Sequence, residues 1–377
     1  MAGPPTINGR TRGDALVALY ERTGYLRVDP PILQPAEVFL ELAGEELRRR
    51  LFLTTDAAGR ELCLRPDLTI PVCREHLAAN AAKRAAAYCY LGPVFRDEWA
   101  GDFLQAGVES LGRHDREAAD AEIFALAVES AHAAGCRRLA MRMGDVELFA
   151  ALIEALDLSP AWRRRLVKDF NRSGTLADDL ATLKHAPGTV ASRGGVLAAI
   201  AGSDPAGARA LVADLLSIAG IKTVGGRSVE EIAERFLEQA SLGATAGLRA
   251  ETMAVLDRYL AVQGDPDEVA AVLRELAADA ALDLSRALDS FERRTGFLAA
   301  GGVDVTQIRF ATAFGRPLDY YTGMVFELSD ADGRVAGPLV AGGRYDRLMS
   351  VLGSDEPMAA VGFAAWVDRL AAAGDEP

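Results

Sequence analysis

At 377 residues the chain exceeds what one typical hydrophobic core organises, so two or three compact regions are expected. Half its residues are hydrophobic and a quarter charged, an ordinary soluble composition. With 54 acidic against 41 basic side chains, a formal charge of -13, RNA is disfavoured as the main partner, because a chain that grips a long polyanion carries a basic face to release counterions.

The opening Met1-Ala2-Gly3-Pro4-Pro5 has no basic region followed by an apolar run, and no uninterrupted apolar segment is long enough to cross a bilayer. A cytoplasmic protein with no membrane partner is expected. Cys63, Cys73, Cys89 and Cys136 have no short paired spacing and lie in apolar segments, so they read as buried free thiols rather than a metal site.

In chain order, Leu16, Leu19 and Tyr20 give Asp14 to Arg22 a helical spacing, with Gly24 as the stop. Tyr25 to Val28 reads as extended before Pro30-Pro31. Leu51-Phe52-Leu53 and Glu61 to Leu64 flank Asp56-Ala57-Ala58-Gly59 as a hairpin, and Thr69 is placed to cap a helix from Ile70 to about Ala82.

Tyr90 to Glu98 and Gln105 to Glu109 then read as two strands joined by a short polar link. They hold Arg96, whose guanidinium suits a phosphate or carboxylate, close to Gln105 and Glu109, which suit a cationic group. An isolated pair of this kind is ordinarily a surface ion pair. Ala118 to Ala134 follows as a helix with Ile123, Leu126 and Ala127 on one face, and Leu139, Met141 and Met143 alternate as a half-buried strand. Helices mixed with hairpin-joined strands favour an antiparallel sheet and an α+β fold.

Residues 146–298 change character to alanine-rich helices without a convincing strand. Ser159-Pro160, the capping box Ser228-Val229-Glu230-Glu231 and Asp265-Pro266 mark helix starts; Val269, Val272, Leu273 and Leu276 follow at one-face spacing. Arg163-Arg164-Arg165 with Lys168 reads as a solvated face or an anionic contact. Residues 1–145 and 299–377 thus frame an inserted helical module. In the second frame Ile308 to Phe314, Met324 to Leu328, Leu339 to Ala341 and Ala360 to Phe363 read as strands, and Trp366 to Ala373 as a closing helix.

Set into these apolar segments are Asp67, Arg96, Gln105, Glu109, Arg316, Asp319, Tyr320, Tyr321, Tyr345 and Arg369. So many polar groups are costly to bury unless they pair or meet a ligand. Acids for an ammonium, arginine for a carboxylate, and tyrosine with glutamate for a polar ring suit an amino acid.

Arg316-Pro317-Leu318-Asp319-Tyr320-Tyr321-Thr322-Gly323-Met324-Val325-Phe326-Glu327 and Ala341-Gly342-Gly343-Arg344-Tyr345-Asp346 resemble the two histidine-specific motifs of the histidyl-tRNA synthetase family. Leu64-Arg65-Pro66-Asp67-Leu68-Thr69, Gly92-Pro93-Val94-Phe95-Arg96-Asp97-Glu98 and Gly362-Phe363-Ala364 with Asp368-Arg369-Leu370 match further segments, and Pro31 falls at the proline of its first motif. The likeness covers about Asp14 to Arg142 and Gln307 to Leu370. It implies a class II aminoacyl-tRNA synthetase-like antiparallel sheet flanked by helices, interrupted by a helical insertion. It also implies a histidine pocket of Asp67, Thr69, Gln105, Glu109, Arg316, Tyr321 and Tyr345, with Arg96 and Arg369 in vestigial ATP-binding positions, and no metal or cofactor.

Three departures separate the chain from an active synthetase. The link Trp99-Ala100-Gly101-Asp102-Phe103-Leu104 lacks an arginine-rich stretch, Pro317 stands where glycine is expected, and the chain ends soon after Leu370, where an anticodon-binding domain would follow. The pattern is similar to the paralogous regulatory subunits of ATP phosphoribosyltransferase. That resemblance implies a non-catalytic chain. It would pair as a homodimer within a hetero-octamer with the short-form catalytic subunit, be required for that subunit's activity, and convey feedback inhibition by L-histidine. An ATP-dependent amino-acid-activating ligase is the alternative, kept open by Arg96, Arg316 and Arg369. A nucleic-acid-binding relic is the third reading, and tRNA is not an expected partner.

Overall fold

The computed structural model describes residues 7–42, 50–79, 84–97, 101–171, 173–185, 210, 214 and 249–374. Met1 to Pro5, Glu98, Trp99, Ala100 and the expected capping box at Ser228 to Glu231 lie outside the described residues. The chain divides into two compact units, Met1–Leu152 with Arg258–Pro377, and Ile153–Asp257.

Among its described residues the first unit holds twelve strands: β1 Leu26–Arg27, β2 Leu33–Pro35, β3 Leu53–Thr55, β4 Glu61–Leu64, β5 Ala86–Arg96, β6 Gly101–Leu111, β7 Leu139–Asp145, β8 Gln263–Gly264, β9 Ile308–Ala311, β10 Met324–Asp330, β11 Pro338–Arg344 and β12 Ala360–Trp366. Nine form one sheet in the order β1-β5-β6-β12-β11-β10-β7-β9-β8, and β2-β4-β3 form a small second sheet. Most neighbours are antiparallel as expected. Toward the edges the sheet is mixed, because β1 pairs parallel with β5 and β7 parallel with β9. The fold is α+β.

The β5–β6 hairpin sets the geometry of everything near it. Its register runs unbroken from Ala86 opposite Leu111 to Arg96 opposite Gly101. Side chains alternate between faces of a strand, so Tyr88, Tyr90 and Gly92 share one face with Glu109, Gly107 and Gln105. Across β12 the same face continues through Gly362, Ala364 and Trp366. The opposite face is covered by the Ile7–Arg22 helix, whose Gly13 sits so close that a Cβ there would come within 2.7 Å of Leu91.

The Arg116–Ala133 helix buries Ile123, Phe124, Leu126 and Ala127, with the Phe124 ring 5.0 Å from that of Phe326 on β10. Two further helices, Pro266–Asp279 and Ser285–Ala300, belong to this unit, whereas the sequence expectation put most of both inside the insertion. Their apolar stripes account for the difference, since Phe291 packs on Phe310 of β9 with rings 4.7 Å apart. Asp265 caps the first of them, accepting from the backbone N–H groups of Asp267 and Glu268, each at 3.0 Å; such caps contribute about 1 kcal/mol. Val269, Leu273 and Leu276 are buried, while Val272, at the border of the stripe, is 45% exposed. β8 is a short strand within a stretch expected to have none; two residues are too few to leave a periodic signal.

Arg65 is enclosed, with the exposed Asp29 carboxylate 4.0 Å from its Nη1. Its Nε donates to the Pro93 carbonyl at 2.9 Å and its Nη1 to that of Pro30. Its own backbone takes the Ile32 carbonyl at 2.9 Å and offers its carbonyl to Phe95 at 3.0 Å. One residue therefore clasps the Pro30–Ile32 segment to the β5 end of the hairpin. Cys63, Cys73, Cys89 and Cys136 are all buried and free, as expected.

In the second unit Ser159 starts the Pro160–Asp169 helix by accepting from the Trp162 N–H at 3.4 Å. Two members of the basic run there are paired internally: Arg163 meets Glu154 at 2.8 Å and Arg165 meets Asp179 at 2.7 Å. Among the described residues no helix is long and apolar enough to cross a membrane, and no group of three or more His, Cys, Asp or Glu side chains is placed to hold a metal ion.

Candidate functional site

The face carrying Gln105 and Glu109 opens into a cavity. Small residues on neighbouring strands, Ala341, Gly362 and Ala364, leave a depression in the sheet, and Asp67, Thr69, Arg96, Tyr320, Tyr321, Tyr345 and Trp366 form its walls. Arg50, Gln105, Arg316, Pro317, Leu318 and Phe363 complete the lining. The structure therefore brings Asp67, Thr69, Arg96, Gln105, Arg316, Tyr321 and Tyr345 of the expected site to one place.

Asp67 stands at the start of the Thr69–Ala78 helix. It, not Thr69, provides the helix's first side-chain contact, accepting from the Ile70 N–H at 3.1 Å, while the N-cap position falls on Leu68. Thr69 is the first residue inside the helix and lines the cavity. Burial raises the Asp67 carboxyl above the usual range, and the Arg96 charge together with the Ile70 N–H partly oppose that. Arg96 is held by the Pro66 carbonyl at 2.8 Å and lies over the Phe103 ring.

Gln105 is 1% exposed, and its Oε1 has no hydrogen-bond partner among the described residues. A buried acceptor left open costs free energy until a donor arrives, so this atom is poised for a ligand N–H. Arg316 offers the complement. Its Nη1 reaches Phe326 O at 3.4 Å and Glu327 at 3.3 Å, whereas its buried Nε has no partner among the described residues. Tyr320 links the wall together, its ring 5.0 Å from Tyr321 and 5.9 Å from Tyr345.

Glu109 is fully enclosed and is not part of the cavity surface. Tyr90 donates to its Oε1 at 3.2 Å and Tyr345 to its Oε2. Burial pushes its carboxyl up to about 8, against the downward pull of the hydroxyls of Tyr345, Thr69 and Tyr90. Gly362 makes room for it, since a Cβ at that position would collide with Oε2. Arg369 also lies outside the lining. It donates to the Pro338 carbonyl at 2.8 Å and sits over Trp366, which does face the cavity.

Two groups of residues were not singled out by sequence reasoning. Tyr90 lay within the hairpin as an apolar-looking strand residue, and Arg50 closed the run Arg48-Arg49-Arg50. Arg344, embedded in a signature motif, turns away from the cavity into a buried network: it meets Asp120 at 2.6 Å and Asp346 at 2.8 Å, and Arg294 joins Asp120 at 3.1 Å and also pairs with Asp145. Alternation along the Arg116–Ala133 helix, with Asp120 among buried apolar residues, was the available signal for that network.

Fold and cavity define a class II synthetase-like core with a cavity lined by carboxylate, amide, guanidinium and tyrosine side chains. The histidyl-tRNA synthetase family profile matches residues 8–204 and 206–370. The ATP phosphoribosyltransferase regulatory subunit of Brucella canis is 43% identical over 353 residues, covering 93% of each chain. A Bacillus halodurans structure of an ATP phosphoribosyltransferase regulatory subunit/histidyl-tRNA synthetase superposes with a TM-score of 0.70 at 21% identity, covering 100% of this chain and 82% of that one. A histidine–tRNA ligase subunit of Alicyclobacillus acidocaldarius gives 0.60 at 24% identity, over 99% and 95%. The chain belongs to the ATP phosphoribosyltransferase regulatory subunit family, a regulatory rather than catalytic branch of the histidyl-tRNA synthetase-like proteins.

Proposed function

We propose that the cavity binds L-histidine, and that the chain acts in the cytoplasm as the subunit required by a short-form ATP phosphoribosyltransferase, conveying feedback inhibition to it. The observation carrying this reading is the pairing of open groups: an acceptor at Gln105 Oε1 beside the Asp67 carboxyl, and a donor at Arg316 Nε. A free amino acid supplies an ammonium for the first and a carboxylate for the second. The surrounding tyrosines suit a flat polar ring.

Histidine regulates only if it binds two assembly states unequally. A coupling of ~1 to 3 kcal/mol corresponds to roughly 5- to 150-fold in affinity. Family resemblance supports a homodimer within a hetero-octamer, with no tRNA or membrane partner.

The test is reconstitution. The purified chain is mixed with the short-form catalytic subunit of the same organism, and phosphoribosyl-ATP formation is followed with and without histidine. Activity that requires this chain and falls with histidine is expected. Catalytic-subunit activity unaffected by this chain overturns the reading.

A further inference from the structure

Residues 312–323 run along one side of the cavity without helix or strand, and five of them line it: Arg316, Pro317, Leu318, Tyr320 and Tyr321. The segment is fastened at both ends. At its start the Thr312 hydroxyl donates to the Tyr259 carbonyl and, at 3.1 Å, to that of Val262, while the Phe314 carbonyl lies over Gly144, where a Cβ would collide with it. At its end the Thr322 N–H donates to the Arg344 carbonyl at 2.8 Å, and the Gly323 carbonyl accepts from the Val146 N–H at 3.0 Å.

Between these anchors the Leu318 N–H donates to the Arg316 carbonyl at 2.7 Å, closing a three-residue turn with Pro317 at its centre. The proline ring holds φ at about −65°, close to the roughly −75° of an inverse γ-turn. It also keeps the preceding residue, Arg316, out of the helical region. One residue therefore sets the backbone from which the guanidinium projects. Pro317 has no N–H and that of Leu318 is taken by the turn, so neither gives a donor to an anion at this end of the cavity. Arg316, 8% exposed and with its Nε unpartnered among the described residues, supplies one.

Resting on the reading of the cavity as a histidine site, we propose that Pro317 is a positioning residue that keeps the Arg316 turn formed before the ligand arrives. The ligand carboxylate then meets a guanidinium already in place. A loop that holds the turn only part of the time weakens the apparent affinity by that fraction. Pro317→Gly opens the backbone to many other conformations, and Pro317→Ala to fewer. None of the anchoring bonds involves Pro317, so both variants leave the ends of the segment fastened.

The experiment is calorimetric titration of the whole chain, Pro317→Ala and Pro317→Gly with L-histidine, together with hydrogen exchange by mass spectrometry over Leu318 to Thr322 in the ligand-free proteins. Affinity is expected to fall about fivefold in Pro317→Gly and by less in Pro317→Ala, with a less favourable binding entropy. In the same order the ligand-free loop is expected to exchange faster, and histidine to restore its protection. A proline that only stabilised the fold would lower the melting temperature and move neither readout. Equal affinity in all three chains overturns the proposal, and so does weakened binding with unchanged loop exchange. Should Pro317→Gly not fold, Pro317→Ala decides on the same two readouts. A wild type that binds no histidine overturns the histidine reading of the cavity and this proposal with it, a result distinct from equal binding by all three chains.

Discussion

Arg344 on β11 and Asp120 on the Arg116–Ala133 helix meet at 2.6 Å with side chains 1% and 2% exposed. The cavity residue Tyr345 directly follows Arg344, so this pair fixes where the tyrosine ring stands. Asp120 also serves Arg294 at 3.1 Å.

Asp120→Ala is expected to destabilise the protein by about 3 kcal/mol, because it leaves two buried guanidinium groups short of a partner. Asp346 and Asp145 retain one contact each with Arg344 and Arg294, which keeps the loss from being larger. Urea unfolding measures it; a change below about 1 kcal/mol would show that the network contributes little.

Gln105→Met separates binding from folding. The substitution removes an acceptor that has no partner among the described residues, so the melting temperature is expected to hold or rise. Histidine affinity is expected to fall about tenfold in the same variant, as read by calorimetry.

Gly362→Ala drives a methyl into Oε2 of Glu109. The expected cost is about 1 to 3 kcal/mol from overpacking, together with loss of histidine binding. A variant of native stability with unchanged affinity would mean that the β12 backbone gives way easily.

Glu109 makes stability depend on pH. Its carboxyl lies at about 8 in the folded chain, above its ordinary 4.5, so between those values the folded state holds a proton that the unfolded state has released. Stability from this group is therefore complete below about pH 4.5 and declines as pH rises toward 8, with a limiting slope of ~1.4 kcal/mol per pH unit. Glu109→Gln, which cannot titrate, is expected to flatten that decline in denaturant titrations at several pH values.

Much of this site was legible in order along the chain, because its residues fall in motifs whose polar members interrupt apolar strands. Asp67, Gln105 and Arg316 reached the cavity for that reason. What could not be read was depth. Alternation puts Gln105 and Glu109 on the same face of β6, but only the crossing of Tyr345 and the closeness of β12 decide that one reaches the surface and the other does not. The helical boundary shifted for a similar reason: Pro266–Asp279 and Ser285–Ala300 have the composition of the insertion, and their membership of the sheet unit comes from contacts distant in sequence. The Thr69 cap gave way to Asp67 because the helix begins one residue earlier than expected, at Thr69 itself, so the open Ile70 N–H falls to the Asp67 carboxylate.

The unbroken register of the β5–β6 hairpin has a consequence for heredity. Along β6, Gln105, Gly107 and Glu109 look toward the cavity, while Leu104, Ala106 and Val108 lie on the other face. Substitutions on the second face can accumulate and be repaired by the facing helix without altering what the cavity recognises. An insertion or deletion of a single residue has no such latitude, since it would exchange the two faces at a stroke. The second face of this strand is thus free to drift residue by residue, whereas its length is locked by what the first face presents to the cavity.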